Sequence, residues 1–253
     1  MPVPNDWTLE GKVALMTVDT RGWAPVLASA LAEAGADVAV AGSSAEYVES
    51  AAAAVTAQGR RSATIIGEFP GYVETDAAVD KTVSELGGID ILVNASLTEF
   101  GKPTLDTTEF EWNTVMDANA GAAFRWARSA GRRMTEQGSG HIVNIISEMA
   151  ERGLTNHAPF SASQAAIQQM TRSLSLEWGR SGVRINCIAT GWIELDPPSL
   201  EEQQKELLVR YLPLRRKGTP DEIATLMIYL SGDLSDFTTG QTIFVDGGAM
   251  AHA

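Results

Sequence analysis

The chain has 253 residues, of which 44% are apolar and 20% are charged, enough apolar material for one sizeable core. Its formal net charge of −13 opposes binding to nucleic acid and to anionic membrane surfaces. The sequence contains no run of roughly 20 apolar residues that would span a membrane, and residues 1–6 lack the features of a signal peptide. We therefore expect a soluble, cytoplasmic protein without nucleic-acid or membrane partners.

Short apolar runs alternate with segments that favour helix. Strands are predicted at residues 13–16, 38–41, 62–66, 91–94, 141–146, 184–189 and 242–245. Helices are predicted at residues 23–34, 45–58, 110–136 and 161–180, with a further helix beginning at 219–222. Apolar strands joined by helices are typical of a parallel sheet covered on both faces. The sequence predicts a single α/β domain over residues 1–253, with a doubly wound, Rossmann-like parallel sheet.

Residues 195–216 depart from this alternation, because two prolines and a charged stretch interrupt the apolar residues. We interpret this segment as a mobile flap on the substrate side. The single cysteine, Cys187, lies in an apolar run and is predicted to be buried and unreactive. The three histidines, His141, His157 and His252, lack further ligands at metal-binding spacing, so no metal site is predicted.

Five segments, in order along the chain, resemble the short-chain dehydrogenase/reductase family. They are residues 11–15 (GKVAL), 88–94 (GIDILVN), 141–145 (HIVNI), 182–186 (GVRIN) and 240–248 (GQTIFVDGG). The resemblance runs from residue 11 to residue 248 and implies the family's fold. It also implies a dinucleotide site after the first strand and a catalytic group of Ser, Tyr, Lys and Asn.

The cofactor positions depart from the family pattern. Gly22 and Asn94 are retained, but Val18 and Ala24 stand where the family has glycines that let backbone N–H groups approach a pyrophosphate. Ser43 follows the second strand, where an acid would bind the ribose of NAD or an arginine the 2′-phosphate of NADP. We therefore predict that no NAD(P) cofactor is bound and that Gly22 and Asn94 are remnants of its site.

The catalytic positions depart in the same way. Ser147 and Asn119 match the family's Ser and Asn, whereas Phe160 and Gln164 stand at the positions of the catalytic Tyr and Lys. A phenyl ring cannot transfer a proton, and an amide cannot supply the positive charge that lowers a tyrosine pKa. His157 lies seven residues before Gln164, the spacing at which enoyl reductases of the superfamily place their Tyr. Its imidazole can exchange protons near neutral pH, with Glu148 or Glu151 orienting it.

Three functions are compatible with these residues. The first is a non-catalytic subunit of a hetero-oligomeric complex, possibly a hydroxyacyl-CoA-type dehydrogenase, in which a homologous subunit, or a second copy in a dimer or tetramer, is the partner. The second is a non-redox enzyme of the lyase or dehydratase type that uses His157, Glu148 and Ser147. The third is an atypical NAD(P)-dependent oxidoreductase. The loss of side chains at both the cofactor and the catalytic positions favours the first.

Overall fold

The strands of the protein form one parallel sheet in the computed structural model, which describes residues 7–19 and 21–251. The strand order is β3-β2-β1-β4-β5-β6-β7. The strands are β1 (Val13–Thr17), β2 (Asp37–Gly42), β3 (Ser62–Ile66), β4 (Ile91–Asn94), β5 (Gly140–Ser147), β6 (Val183–Thr190) and β7 (Thr242–Val245). The prediction of a doubly wound, Rossmann-like α/β fold is confirmed. The extent of the domain, residues 1–253, stays a prediction.

The helices cover both faces of the sheet. They are α1 (Ala24–Glu33), α2 (Ala45–Ala57), α3 (Tyr72–Leu86), α4 (Glu109–Met116), α5 (Ala122–Gln137), α6 (Ala158–Trp178), α7 (Leu200–Gln203), α8 (Leu207–Tyr211) and α9 (Pro220–Ser231). The helix predicted at residues 110–136 is divided by a π-helical turn, Asp117–Gly121, between α4 and α5. The sequence pattern did not predict bounds for α3, because its buried face includes two threonines, Thr75 and Thr82.

Alternate residues of each central strand enter different halves of the core. Ala14 and Met16 pack with α1, α2 and α9 on one face of the sheet. Val13 and Leu15 pack with α3, α5 and α6 on the other. Because both faces are buried, these strands are largely apolar, and this pattern made them predictable.

The predicted flap contains two short helices, α7 and α8. Val209 and Leu212 are buried, so this segment is anchored to the body of the protein. α9 begins within the range predicted for its start, and Thr219 and Glu222 form a capping box there. In the described part of the chain, no helix is both long enough and apolar enough to cross a bilayer.

Candidate active site

The carboxyl ends of the strands form the candidate site. The chain leaves β1 toward β2 on one side and reaches β4 on the other, so the strand order reverses between β1 and β4. Ligands of doubly wound sheets bind in the crevice at such a reversal, outside the carboxyl ends of the strands. In this protein, the crevice lies between the segments that follow Thr17 and Asn94.

The segment after β1 keeps two features suited to phosphate groups. Gly22 has a φ of +77°, a conformation that favours glycine. The first turn of α1 has no side-chain cap and no acidic residue, and Pro25 lies within it. Unpaired N–H groups at a helix N-terminus, together with the helix dipole, attract anions. These backbone features fit the pyrophosphate of a dinucleotide.

Val18 is accommodated without backbone strain. It is buried, its N–H donates to the carbonyl of Ala41 at 2.9 Å, and its φ is not positive. A Cβ placed on Gly42 would lie 2.7 Å from Val18 Cγ2, so the valine side chain fills the space above that glycine. The valine that stands at a glycine position of the family is therefore accommodated by side-chain packing between the ends of β1 and β2.

Two charged residues bridge the crevice. The Asp19 carboxylate accepts hydrogen bonds from Arg21 Nε at 2.6 Å and from Leu97 N at 2.9 Å. The Arg21 guanidinium donates to the carbonyl of Ala95 at 2.6 Å and stacks on Trp23, 4.0 Å from the ring centroid. We call this set of contacts the Asp19–Arg21 bridge. It joins the segment after β1 to the segment after β4, across the path that a complete dinucleotide would follow.

An open groove of about 300 Å³ lies on the β2 and β3 side of this bridge. Its lining includes Gly42, Ser43, Glu68, Phe69 and Arg125. Arg125 is paired with Asp117 at 2.6 Å. The small residues Gly42 and Ser43 at the end of β2, and the ring of Phe69 in the segment after β3, leave space for an adenosine. The residues therefore fit the adenosine and the phosphates, whereas the passage toward Ser147 contains the Asp19–Arg21 bridge.

Asn94, the second predicted cofactor residue, is turned away from this groove. Its side chain is buried, and Nδ2 donates to Asn144 Oδ1 at 2.8 Å. Its own Oδ1 has no partner among the described residues. Asn94 therefore links β4 to β5, and a role for Asn94 or Gly22 in cofactor binding stays a prediction.

The predicted catalytic positions converge on the end of β5. Ser147 is its last residue, and the hydroxyl oxygen accepts a hydrogen bond from Met149 N at 3.2 Å. Gln164 is buried in α6 and accepts from Ser147 N through Oε1 at 3.0 Å. Asn119 lies in the π-helical turn, a feature frequent at functional sites, and donates to Ser163 Oγ at 3.0 Å. Phe160 is buried one turn before Gln164.

His157 lies just before α6, where two loops meet. Its Nδ1 is 2.7 Å from the carbonyl oxygen of Thr155, so Nδ1 carries the proton of a neutral ring and Nε2 keeps its lone pair. A Cβ on Gly101 would lie 3.1 Å from Nε2, which shows how closely the ring approaches that loop. The backbone bond from Lys102 N to the carbonyl of Asn156, 2.7 Å, holds the two loops together.

Glu148 directly follows Ser147 and is a second titratable group of this region. Its carboxyl is buried, and Oε1 pairs with Arg152 Nη1 at 3.1 Å. Burial, together with the nearby Asp246 carboxylate, raises the pKa of Glu148 to about 6. Sequence reasoning named Glu148 but missed Arg152 and Arg21. The signal for Arg21 was its position beside the retained Gly22; nothing in the sequence identified Arg152.

Comparison with known proteins gives the family. The family model described as "Enoyl-(Acyl carrier protein) reductase" matches residues 18–250. Gluconate 5-dehydrogenase of Gluconobacter oxydans is 31% identical, over 98% of each chain. The 5-keto-D-gluconate 5-reductase of Escherichia coli K12 is 31% identical, over 97% of this chain and 98% of the relative. This protein belongs to the short-chain dehydrogenase/reductase family.

A solved structure gives the same result. Gluconate 5-dehydrogenase of Burkholderia cenocepacia, in complex with NADP and tartrate, superposes with a TM-score of 0.89 at 29% identity. The match covers 98% of this chain and 99% of that one. The likeness therefore extends over the whole sheet and its helices, including the carboxyl edge of the strands.

These comparisons overturn two predictions. The prediction of a non-catalytic subunit is wrong, because the full-length relatives are named dehydrogenases and reductases. The prediction that no NAD(P) cofactor is bound is contradicted by the relative that holds NADP on the same fold. Both predictions relied on single side chains, such as Val18 and Ser43. The phosphate-facing features depend instead on backbone: the strand reversal, the positive φ of Gly22 and the uncapped start of α1.

Proposed function

We propose that the protein is an NAD(P)-dependent oxidoreductase that interconverts a hydroxyl and a carbonyl group, with an unusual set of acid–base residues. The observation that carries the proposal is the crevice at the strand reversal, with its open adenosine-sized groove, in a chain whose relatives are dehydrogenases over their full length. A bound nicotinamide dinucleotide would supply the hydride acceptor or donor. The residues of the chain would bind it, position the substrate and move the proton.

The groove beside Gly42, Ser43 and Glu68 would hold the adenosine, and the start of α1 would face the phosphates. Ser43 leaves the end of β2 without a charge that selects between NAD and NADP, and the charged residues of the groove are Glu68, Asp117 and Arg125. Arg21 lies just before α1 and stacks on Trp23, and it would meet the phosphates only after leaving Asp19.

We further propose that Phe160 and Gln164 occupy the family's Tyr and Lys positions, so that another group transfers the proton. Ser147 can donate its hydroxyl hydrogen to a substrate oxygen while it accepts from Met149 N. Asn119 holds the loop after β4, because it bonds both the N–H and the carbonyl of Thr98. His157 is the candidate acid–base group, because Thr155 fixes its tautomer and leaves Nε2 available.

Titration with NADPH and NADH, followed by protein fluorescence, tests cofactor binding directly. Turnover of 5-keto-D-gluconate and of a 3-oxoacyl thioester, followed through NADPH absorbance, tests the reaction. We expect binding of one dinucleotide and measurable turnover of one substrate class. His157→Gln should lower kcat by a factor of roughly 10²–10⁴ and leave dinucleotide affinity unchanged. Absence of binding by both dinucleotides would refute the proposal.

Assembly with a homologous subunit or a second copy remains a proposal. It is supported by large apolar side chains exposed on and around α4, α5 and α6. They are Leu105, Phe110, Trp112, Phe124 and Leu176. Light scattering during gel filtration, alone and after co-expression with a homologous subunit, would distinguish a monomer, a homo-oligomer and a hetero-oligomer. A monomer under both conditions would refute the proposal.

A further inference from the structure

A second cavity, of about 520 Å³, lies beyond the carboxyl ends of β5, β6 and β7. It shares no lining residue with the groove assigned to adenosine. Its apolar wall contains Trp192, Leu212 and Met250, beside Tyr211, and its charged members are Glu151 and Arg152. A cavity of this size that combines apolar side chains with a few polar groups is typical of a small-molecule site.

Arg152 has unused hydrogen-bonding capacity at this cavity. Its guanidinium stands over the ring of Trp192, 5.1 Å from the centroid, and Nη1 donates to Glu148 Oε1. A guanidinium has five N–H groups, and this is its one hydrogen bond among the described residues. The remaining N–H groups of Arg152 are not buried, and the residue lines the cavity, so these donors are available to a ligand there.

Glu148 fixes the position of Arg152 through their ion pair. The buried carboxyl lies against Gly191, where a Cβ would come within 3.0 Å of Glu148 Oε2 and 2.8 Å of Asp246 Cα. The absence of a side chain at residue 191 is therefore what allows the carboxyl to stand beneath Arg152. An arginine held by an ion pair and an aromatic ring loses little freedom when it binds a ligand.

The charge of Glu151 is compensated by residues of α6 and not by Arg152. Its carboxylate accepts from Gln168 Nε2 at 2.6 Å and is 3.7 Å from Arg172 Nη2. Arg152 is thus the cation that the cavity offers to a ligand, and a planar guanidinium matches a carboxylate through two parallel hydrogen bonds.

We propose that this cavity binds an organic acid with an apolar body, the carboxylate pairing with Arg152 and the body packing against Trp192, Leu212 and Met250. This inference rests on the proposed oxidoreductase function, since it names the substrate class of that enzyme. Arg152 is accordingly a specificity-determining residue.

The test compares two probes of one shape, 3-phenylpropanoate and the neutral 3-phenylpropan-1-ol, by calorimetry on the full chain at pH 7.5 without dinucleotide. We expect the acid to bind more tightly than the alcohol. Arg152→Gln should weaken binding of the acid by roughly ten- to a hundredfold and leave binding of the alcohol unchanged. Arg132→Gln, which removes an exposed arginine from α5, is the matched control and should change neither.

Removal of Arg152 leaves a buried carboxylate without its cation, so the double variant Glu148→Gln/Arg152→Gln provides a second, charge-neutral background. It should show the same selective loss of acid binding. Equal binding of the two probes, no binding of the acid, or a change of oligomeric state in Arg152→Gln would each overturn the proposal. Because dinucleotide is absent from this experiment, failure of NADPH binding would refute the proposed function without affecting the result.

Discussion

Gln164 accepts a hydrogen bond from the backbone N–H of Ser147, with 3.0 Å between Oε1 and N, and so ties α6 to the last residue of β5. The amide is fully buried, and its Nε2 lies 3.3 Å from Ser163 Oγ, which also accepts from Asn119. The polar group at residue 164 therefore stabilises the candidate site from inside the core. A solvent-facing role for it would require this bond to break.

The first prediction concerns this bond. Gln164→Leu should destabilise the protein by about 1–3 kcal/mol, because it leaves the partly buried N–H of Ser147 without its acceptor. Urea unfolding followed by circular dichroism measures the change. Gln169→Leu is the control, since Gln169 is exposed on the same helix and should have little effect. Equal free energies of unfolding for the two variants would show that the bond to Ser147 does not contribute to the stability of the fold.

The second prediction restores a tyrosine and a lysine. In Phe160→Tyr/Gln164→Lys, the new hydroxyl gains a neighbouring cation that favours its ionised form, and turnover should rise by at least about 10²-fold. Steady-state oxidation of NADPH in the presence of a carbonyl substrate measures this gain. Phe160→Tyr/Gln164→Met, without the cation, should gain less. A folded double variant no faster than the natural chain would contradict the assignment of positions 160 and 164.

The third prediction concerns the Asp19–Arg21 bridge. Asp19→Ala removes a negative charge beside the phosphate-facing turn, frees Arg21, and deletes the bond to Leu97 N. Two unit charges about 4 Å apart interact by about 1 kcal/mol in bulk water and more near protein, so dinucleotide affinity should rise at least about fivefold. Fluorescence titration with NADPH provides the measurement.

Asp19→Asn separates the effect of the Asp19 charge from that of its hydrogen bond to Leu97 N. The amide oxygen can still accept this bond but carries no charge. If repulsion is the main effect, both variants bind more tightly; if the bond across the crevice is the main effect, only the alanine variant does. Asp106→Asn, at an exposed position, is the control. Weaker binding by Asp19→Ala would show that the bridge supports the cofactor site.

The sequence predicted strand positions well because buried parallel strands are largely apolar, as in β1 and β2. It predicted no bounds for α3, since Thr75 lies on its buried face and bonds Ser129 Oγ at 2.8 Å, a contact 54 residues apart in sequence. The candidate site shows the same limit. Ser147 was predicted from the resemblance to the short-chain dehydrogenase/reductase family. The bond from Arg21 to Ala95 spans 74 residues and has no local signature.

The fourth prediction is a dependence of stability on pH. Burial raises the pKa of Glu148 to about 6 from 4.5, so the folded protein binds this proton more tightly than the unfolded chain. The contribution of Glu148 to folding stability is therefore greatest below about pH 4.5 and is lost as pH rises through about 6. A shift of this size corresponds to about 2 kcal/mol.

Urea unfolding at a series of pH values between about 4 and 8 tests this expectation in the natural chain and in Glu148→Gln. The difference between the two free energies of unfolding should change by about 2 kcal/mol across the interval, with the natural chain relatively less stable at the alkaline end. Glu49→Gln, at an exposed position on α2, should give a much smaller change. If the difference in free energy of unfolding between the natural chain and Glu148→Gln does not depend on pH, the pKa of Glu148 is not raised in the folded protein.

The fifth prediction concerns the contact between β1 and β2. A Cβ at residue 42 would lie 2.7 Å from Val18 Cγ2, so Gly42→Ala should destabilise the protein by about 1–3 kcal/mol through overpacking. In a Val18→Ala background the clashing methyl groups are absent, and the same substitution should reduce the free energy of unfolding by less.

The interaction energy of this double-mutant cycle should exceed about 0.5 kcal/mol. Gly67→Ala is the control, because its Cβ would meet no atom within 4 Å. Additive effects would mean that the turn after β1 moves to admit the methyl group, and would remove the reason for regarding Val18 as packed against Gly42.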